Sequence, residues 1–275
     1  MKEEYPLDQL VSIISQKPKY QHISPDFIRF LAKQEFFKRN NFKATVKMTC
    51  SRLHQVGAAY FQCKPDYPAW QAQINGFSKS FENINFKAFC QSIMQCHASS
   101  RERLPLLNYF FHETLKKITP ITSVLDLACG FNPLAIPWMP LDKNASYLAC
   151  DIYNDLTAFL NLFFSHIDIK GKAITVNIIN DIPQEPVHVA FLLKSLPSLE
   201  QLEKGASSFL LNKINAKYLL ISYPIHSLGG KSKGMRQNYT NQFRELMKHQ
   251  TWATERFDFP TELAFLIHKQ TSHDR

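Results

Sequence analysis

Asp126, Asp151 and Asp181 each sit where a short, mostly apolar run gives way to a polar turn, the texture of strands in a covered sheet. In open α/β sheets small molecules bind beyond the carboxyl ends of the strands, so acids at three successive strand tips mark a candidate ligand site. The first tip reads Val124-Leu-Asp-Leu-Ala-Cys-Gly-Phe-Asn-Pro133. There Gly130 lets the backbone approach a ligand closely, and small Ala128 keeps the turn open. A Gly-x-Gly-x-x-Gly run is absent, which argues against the pyrophosphate of a dinucleotide. Asp151, 21 residues beyond Gly130, can accept hydrogen bonds from both hydroxyls of a ribose. Asp181, in Asn180-Asp181-Ile182, can contact an adenine amino group. Adenine and ribose without phosphate, plus a sulfonium cation, describe S-adenosylmethionine. Any one of these aspartates is equally well explained as a turn former or helix cap. The ordered triplet carries the reading.

The elements that must position these groups follow from hydrophobic periodicity. From residue 105 onward short apolar runs (123–129, 147–152, 174–179, 187–193, 217–223) alternate with helical stretches near 154–166, 200–214 and 233–248. That alternation predicts a parallel sheet covered on both faces. At the end, 252–259 and 262–269 flank Pro260 with no helix between, which predicts an antiparallel hairpin closing the sheet. Before residue 105 the chain reads as helices. Ser24-Pro25 opens one, followed by Phe27, Phe30, Leu31 and Phe37. Val46, Cys50, Leu53 and Tyr60 mark a second, and Phe86, Phe89, Cys90, Ile93 and His97 a third. Residues 61–80 read as a loop-rich connection. Ser99 and Glu102 form a capping-box pattern opening a helix with the stripe Leu104, Leu107, Phe111, Leu115 and Ile118. The expected division is a helical domain over 1–104 and a sheet domain over 105–275.

Charge separates the same two parts. Residues 1–104 hold 15 Lys and Arg against 8 Asp and Glu, whereas 105–275 hold 17 against 15. Within 29–52 seven basic residues face one acid, Glu35, the electrostatic footprint of a polyanion-binding surface. With 22 Phe, 10 Tyr and 3 Trp, disorder is excluded as the main theme. No apolar run approaches the roughly 18–20 residues of a membrane span, and the opening residues lack a secretory apolar stretch. A cytoplasmic protein with no membrane association and no obligate protein partner is expected. Six cysteines without a Cys-x-x-Cys pair indicate no metal site and reduced, partly buried thiols.

Several blocks resemble the 16S rRNA (guanine-1405, N7) methyltransferases that confer aminoglycoside resistance. They are Arg52-Leu-His54 with Gly57-Ala-Ala-Tyr60, His97-Ala-Ser-Ser-Arg-Glu-Arg-Leu104, the Val124–Pro133 tip running on to Met139, and Leu192-Leu-Lys-Ser-Leu-Pro197. Further on come Ser222-Tyr-Pro-Ile-His-Ser-Leu-Gly-Gly-Lys-Ser-Lys-Gly-Met235 with Asn238-Tyr239, then Thr261-Glu-Leu263. The resemblance implies a Rossmann-like class I S-adenosylmethionine-dependent methyltransferase, α/β, with a mostly parallel seven-stranded sheet and an all-helical N-terminal domain. It implies that Tyr60, His97, Ala98, Ser99 and Arg103 hold the methionine half of the cofactor, Arg103 pairing with its carboxylate. It also implies cofactor contacts from Ala128, Gly130, Asp151, Asp181, Ile182 and Leu193, and from Glu203, where the family usually carries glutamine. The implied product is S-adenosylhomocysteine, and the implied partner is 16S rRNA within the 30S subunit.

Guanine N7 offers an in-plane lone pair and no proton to remove, so transfer needs positioning and desolvation more than a base. Consistent with this, the fourth tip carries Lys194-Ser-Leu-Pro197 rather than the Asn/Asp-Pro-Pro-aromatic of amine methyltransferases, and no cysteine nucleophile follows it. Lys194 is the candidate for orienting the target base or its phosphate. Lys231 and Lys233 in the glycine-rich loop, with Arg29, Lys33, Lys43, Lys47 and Arg52, are the candidates for RNA phosphate contacts. Methylation at another base atom, such as adenine N1, and a noncatalytic RNA-binding protein with this fold remain open alternatives.

Overall fold

The computed structural model describes residues 4–77, 83–226 and 234–269. Helices α1 (Glu4–Ser15), α2 (Pro25–Arg39), α3 (Phe42–Val56), α4 (Tyr67–Ile74), α5 (Ile84–Met94), α6 (Ala98–Arg103) and α7 (Leu107–Leu115) precede the sheet. Strands β1 (Ile121–Leu127), β2 (Leu141–Asp151), β3 (Lys170–Thr175), β4 (Val187–Leu193) and β5 (Ala216–Pro224) are connected with helices α8 (Asn154–His166), α9 (Leu196–Leu202) and α10 (Ala206–Lys213). After α11 (Met235–Met247) come β6 (Ala253–Asp258) and β7 (Glu262–His268). The sheet order is β3-β2-β1-β4-β5-β7-β6, with β1 to β5 parallel and β7 antiparallel to both β5 and β6. The chain crosses from the β3 edge back to β4, so the switch point lies between the tips of β1 and β4.

Alternate residues of each strand feed two cores. On one face Val124, Tyr147 and Phe191 pack with Phe86 and Phe89 of α5, Phe110 and Phe111 of α7, and Phe163 of α8. On the other, Leu125, Leu127, Leu192 and Ile221 meet Val11, Phe27, Leu31 and Leu53 of α1–α3 and Leu199, Leu210 and Phe243 of the later helices. The N-terminal helices thus share both cores with the sheet. Ser24 N–H donates to Ile152 O at 2.8 Å and Asn154 N–H to His22 O at 2.7 Å, stitching the α1–α2 connection to the β2 tip.

Four local expectations are corrected. The 61–80 connection contains α4, started by Asp66, whose carboxylate accepts from Ala69 N–H at 3.1 Å, with Pro68 in the first turn. The single helix read over 99–118 starts at Ala98 after His97 and breaks at Pro105, which lies in a short 3-10 turn, Leu104–Leu106. The 200–214 helix divides into α9 and α10 at Gly205, whose φ of 88° no helix continues. β3 ends at Thr175, so Asp181 lies six residues past the strand rather than at its tip. The run Lys170-Gly-Lys hid the true strand, because Lys and Gly are poor strand markers although the ladder to β2 accommodates them.

The cysteines also differ from expectation. Cys63 and Cys96 form a disulfide, while Cys50, Cys90, Cys129 and Cys150 are free. Phe61 and His97 form an antiparallel bridge, and Gln62 N–H donates to Cys96 O at 2.7 Å. That pairing sets side by side two cysteines separated by 33 residues, a proximity invisible to spacing rules.

Candidate active site

A pocket opens at the switch point, above the tips of β1, β2 and β4. Gly130 and Asp151 are tied together there: Gly130 N–H donates to Asp151 Oδ2 at 2.9 Å, and Ile152 N–H to Oδ1 at 2.7 Å. Burial raises the Asp151 carboxyl, and the backbone N–H donors from Gly130, Ile152 and Tyr153 offset part of that rise. Gly130 adopts φ 49°, and a Cβ there would meet the His97 ring at 3.4 Å. Ala128 at φ 52° and Lys194 at φ 59° are left-handed without being glycine, backbone strain of a kind that concentrates at functional sites.

The front wall comes from the N-terminal helices. Tyr60 stacks on His97 with centroids 5.7 Å apart, and its hydroxyl lies 2.8 Å from Ser198 Oγ. Phe61 meets both His97 and Tyr153 edge-on, at 5.4 and 5.6 Å. A Cβ on Gly57 would lie 2.2 Å from the Tyr153 hydroxyl, so any larger residue there must displace that ring. Burial, then the Lys194 cation, lowers the His97 imidazole to about 4, so the ring is neutral at physiological pH.

Beneath lies a chain of buried charges. Arg103, 1% exposed, forks onto Glu262 with two 2.7 Å bonds and donates from Nη1 to Asn132 Oδ1 at 3.2 Å. Lys194 Nζ lies 2.7 Å from Glu102 and 3.9 Å from Glu262. Asn132 and Tyr147 in turn donate to Asp126 at 2.8 and 2.6 Å. Burial pushes the Asp126 carboxyl up to about 7 despite those two bonds. The Glu262 carboxyl, although burial works against it, is held below its ordinary value by Arg103, Lys194 and Ser222. Two cations between two carboxylates leave the quartet near neutral.

Tyr60, His97, Ser99, Arg103, Ala128, Gly130, Asp151, Leu193 and Lys194 all line this one pocket. Ala98 is buried behind the wall, and Asp181 and Ile182 lie outside the lining. Glu203 caps the end of α9 and accepts from Gln34 Nε2 at 2.6 Å. Val176, Asn177 and Ile178, which follow the end of β3, line the pocket. Ser195 and Ser198 also line the pocket and were missed; their place on the turn into α9 was the available signal. Four lining polar atoms, His97 Nδ1, Tyr153 Oη, Asn177 Nδ2 and Ser195 Oγ, are buried without a hydrogen-bond partner among the described residues. Buried polar groups are ordinarily satisfied, so this ring of donors and acceptors fits a polar nucleoside ligand such as S-adenosylmethionine. Among the described residues no cluster of His, Cys, Asp and Glu suits a metal ion.

Of the expected RNA contacts, Lys33, Lys43 and Lys47 are exposed on α2 and α3. Arg29 is half-exposed and bonded to Asp8 at 2.6 Å. Arg52 is a correction: it turns inward to Gln34, Glu35 and Leu202 O at 2.6, 3.0 and 2.8 Å, so it joins α3 to the end of α9 instead of facing solvent. Lys231 and Lys233 fall outside the described residues.

The sheet order, the Gly130 turn and the pocket at the switch point define a class I methyltransferase fold. The chain belongs to the ribosomal RNA methyltransferase family FmrO, whose profile matches residues 16–266. It is 31% identical over 265 residues to a 16S rRNA (guanine(1405)-N(7))-methyltransferase of Micromonospora echinospora, covering 96% of this chain and 97% of that one. Among solved structures it is similar to the 16S rRNA methylase RmtB, with a TM-score of 0.79, 26% identity and coverage of 96% and 98%. The fold is also that of the 16S rRNA methyltransferase RmtF in complex with S-adenosyl-L-homocysteine, with a TM-score of 0.81, 23% identity and coverage of 98% and 100%.

Proposed function

We propose that this enzyme methylates N7 of a guanine in the decoding-site helix of 16S rRNA, acting in the cytoplasm on the 30S subunit, and so confers aminoglycoside resistance. The observation that carries the reading is the convergence of Tyr60, His97, Ser99, Arg103, Gly130 and Asp151 on one pocket at the switch point, in a chain of this family. Bound there, S-adenosylmethionine supplies a methyl group activated by its sulfonium. Arg103 has five N–H donors and spends three within the protein, so two remain for a cofactor carboxylate. Asp151, fixed by three backbone donors, keeps lone pairs for ribose hydroxyls. At the adenine end the proposed contacts are Asp181 and Ile182, with Asn177, a lining residue, preceding them in the chain.

Lys194 is the proposed positioning group for the target base or its phosphate. Its pairing with Glu102 tempers its charge, which suits a base that becomes cationic when methylated. No general base is required, because N7 carries no proton. Lys33, Lys43 and Lys47 are the proposed docking surface for the rRNA, and Lys231 and Lys233, which follow β5 in sequence, are proposed as further phosphate contacts. A methyl group and positive charge on the guanine would exclude aminoglycosides that dock there.

The test is transfer of tritium from labelled cofactor to 30S subunits, followed by borohydride–aniline cleavage, which is selective for 7-methylguanine. Cleavage at one decoding-site guanine is the expected result. Label incorporated without cleavage would move the reaction to another atom, and no incorporation would leave only a binding role.

A further inference from the structure

Helix α9 has two lined faces. Ser198, Leu199 and Leu202 border the cofactor pocket, while Pro197, Glu200 and Gln201 border a second recess of about 680 Å³ on the far side. The opposite wall of that recess is Tyr223 at the end of β5 with Asn238, Tyr239 and Gln242 of α11. Tyr239 stacks on buried Tyr223, with ring centroids 5.0 Å apart and planes 22° from parallel, and Tyr223 rests edge-on against Phe265. The half-buried Tyr239 ring is therefore a braced aromatic surface rather than a loose side chain. Glu200 is fixed as well: Gly205 and Ser207 N–H donate to its two oxygens at 2.6 and 3.0 Å. Burial raises the Glu200 carboxyl, but those donors outweigh it and hold the group below its ordinary value, so it is an anion that only accepts. The side-chain amides of Asn238 and Gln242 make no hydrogen bond to another described residue, and both residues are exposed.

Among the described residues no Lys or Arg lines the recess, and its polar groups are amides and a carboxylate rather than cations. An aromatic face, free primary amides and a fixed carboxylate complement a purine that has left its stack. The ring covers Tyr239, amides meet the O6 and N7 edge, and the carboxylate accepts from N1–H and the exocyclic amine of guanine. We infer that this recess is a second RNA subsite, receiving an unstacked base of the rRNA, guanine by preference, across α9 from the base that is methylated. The inference rests on the proposed rRNA substrate and adds to it a stacking contact that phosphate-binding lysines cannot provide.

The experiment compares the wild-type chain with Tyr239→Ala and with the double variant Asn238→Ala/Gln242→Ala, whose exposed positions spare the fold. Affinity for 30S subunits is measured across a salt series, cofactor affinity by calorimetry, and methyl transfer in parallel. Base stacking implies a loss of 30S affinity on the order of tenfold for Tyr239→Ala. The slope of log K against log salt stays unchanged, because no phosphate contact is lost. Cofactor affinity stays within about twofold of wild type. A 30S affinity within twofold of wild type in both variants, a shallower salt slope, or a parallel loss of cofactor binding each overturns the subsite. Failure of the wild-type chain to methylate 30S subunits would instead overturn the proposed substrate.

Discussion

The enzyme places cations in two regions on opposite terms. Beneath the cofactor pocket, Arg103 and Lys194 are buried and matched against Glu262 and Glu102. On the outer face of α2 and α3, Lys33, Lys43 and Lys47 are exposed and carry no ion pair with another described residue. Desolvation explains the contrast. A charge removed from water must be paired and hydrogen-bonded, so the pocket quartet is fixed and structurally costly to disturb. A charge left in water costs little and stays available to an incoming polyanion. The buried set therefore shapes a site, and the exposed set is the one proposed to recruit the rRNA.

The sharpest way to break this contrast is Glu262→Ala. It strips Arg103 of the carboxylate it forks onto while Lys194 keeps Glu102, and removing a buried partner costs about 3–5 kcal/mol, read in urea unfolding. Cofactor affinity should fall with it, as Arg103 loses the fork that aims it. Little change in either measurement would mean that the quartet does not shape the pocket.

His97 gives a smaller effect with a definite sign. Its folded value near 4 lies below the unfolded value near 6.5, so the unfolded chain binds more protons between them. Stability contributed by neutral His97 is complete above about 6.5 and is lost as pH falls towards 4, by about 2–3 kcal/mol. Asp126, raised to about 7, works the other way and is lost as pH rises through 7. His97→Gln should flatten the acid limb of a plot of Tm against pH while leaving the neutral limb in place. An unchanged acid limb would assign acid lability to other groups.

Gly130→Ala should cost about 1–2 kcal/mol for the left-handed φ and press on the His97 ring, weakening cofactor binding in calorimetry more than 30S binding. The smallest stability effect belongs to Lys43→Glu/Lys47→Glu, within about 0.5 kcal/mol of wild type in thermal melts. The same change should make the salt dependence of 30S binding shallower by about one unit of slope for each lost phosphate contact. An unaltered slope would remove α3 from the docking surface.

How much of this was legible beforehand differs by element. β4 and α8 were read at their true limits, because a continuous apolar run and an uninterrupted helical stripe are local signals. β3 was misplaced because Lys170, Gly171 and Lys172 carry no strand signature, so Asp181 follows the strand by six residues and Asn177 lines the pocket before it. Arg52 was counted with the exposed cations because charge is visible in a sequence and its partners are not. Its guanidinium is bound by Gln34, Glu35 and Leu202 O, the last 150 residues away.

By themselves the residues determined the strand and helix texture, the glycine turn at Gly130, the basic bias of the first hundred positions and the family. Those are properties of composition and short-range spacing, which need no partner to exist. Tertiary structure alone decided that Arg103 would be aimed by Glu262, 159 residues later, and that Cys63 would meet Cys96. It also decided that α9 would stand between two recesses. Each of these depends on which surfaces the burial of apolar faces drives together, and that is a property of the whole chain.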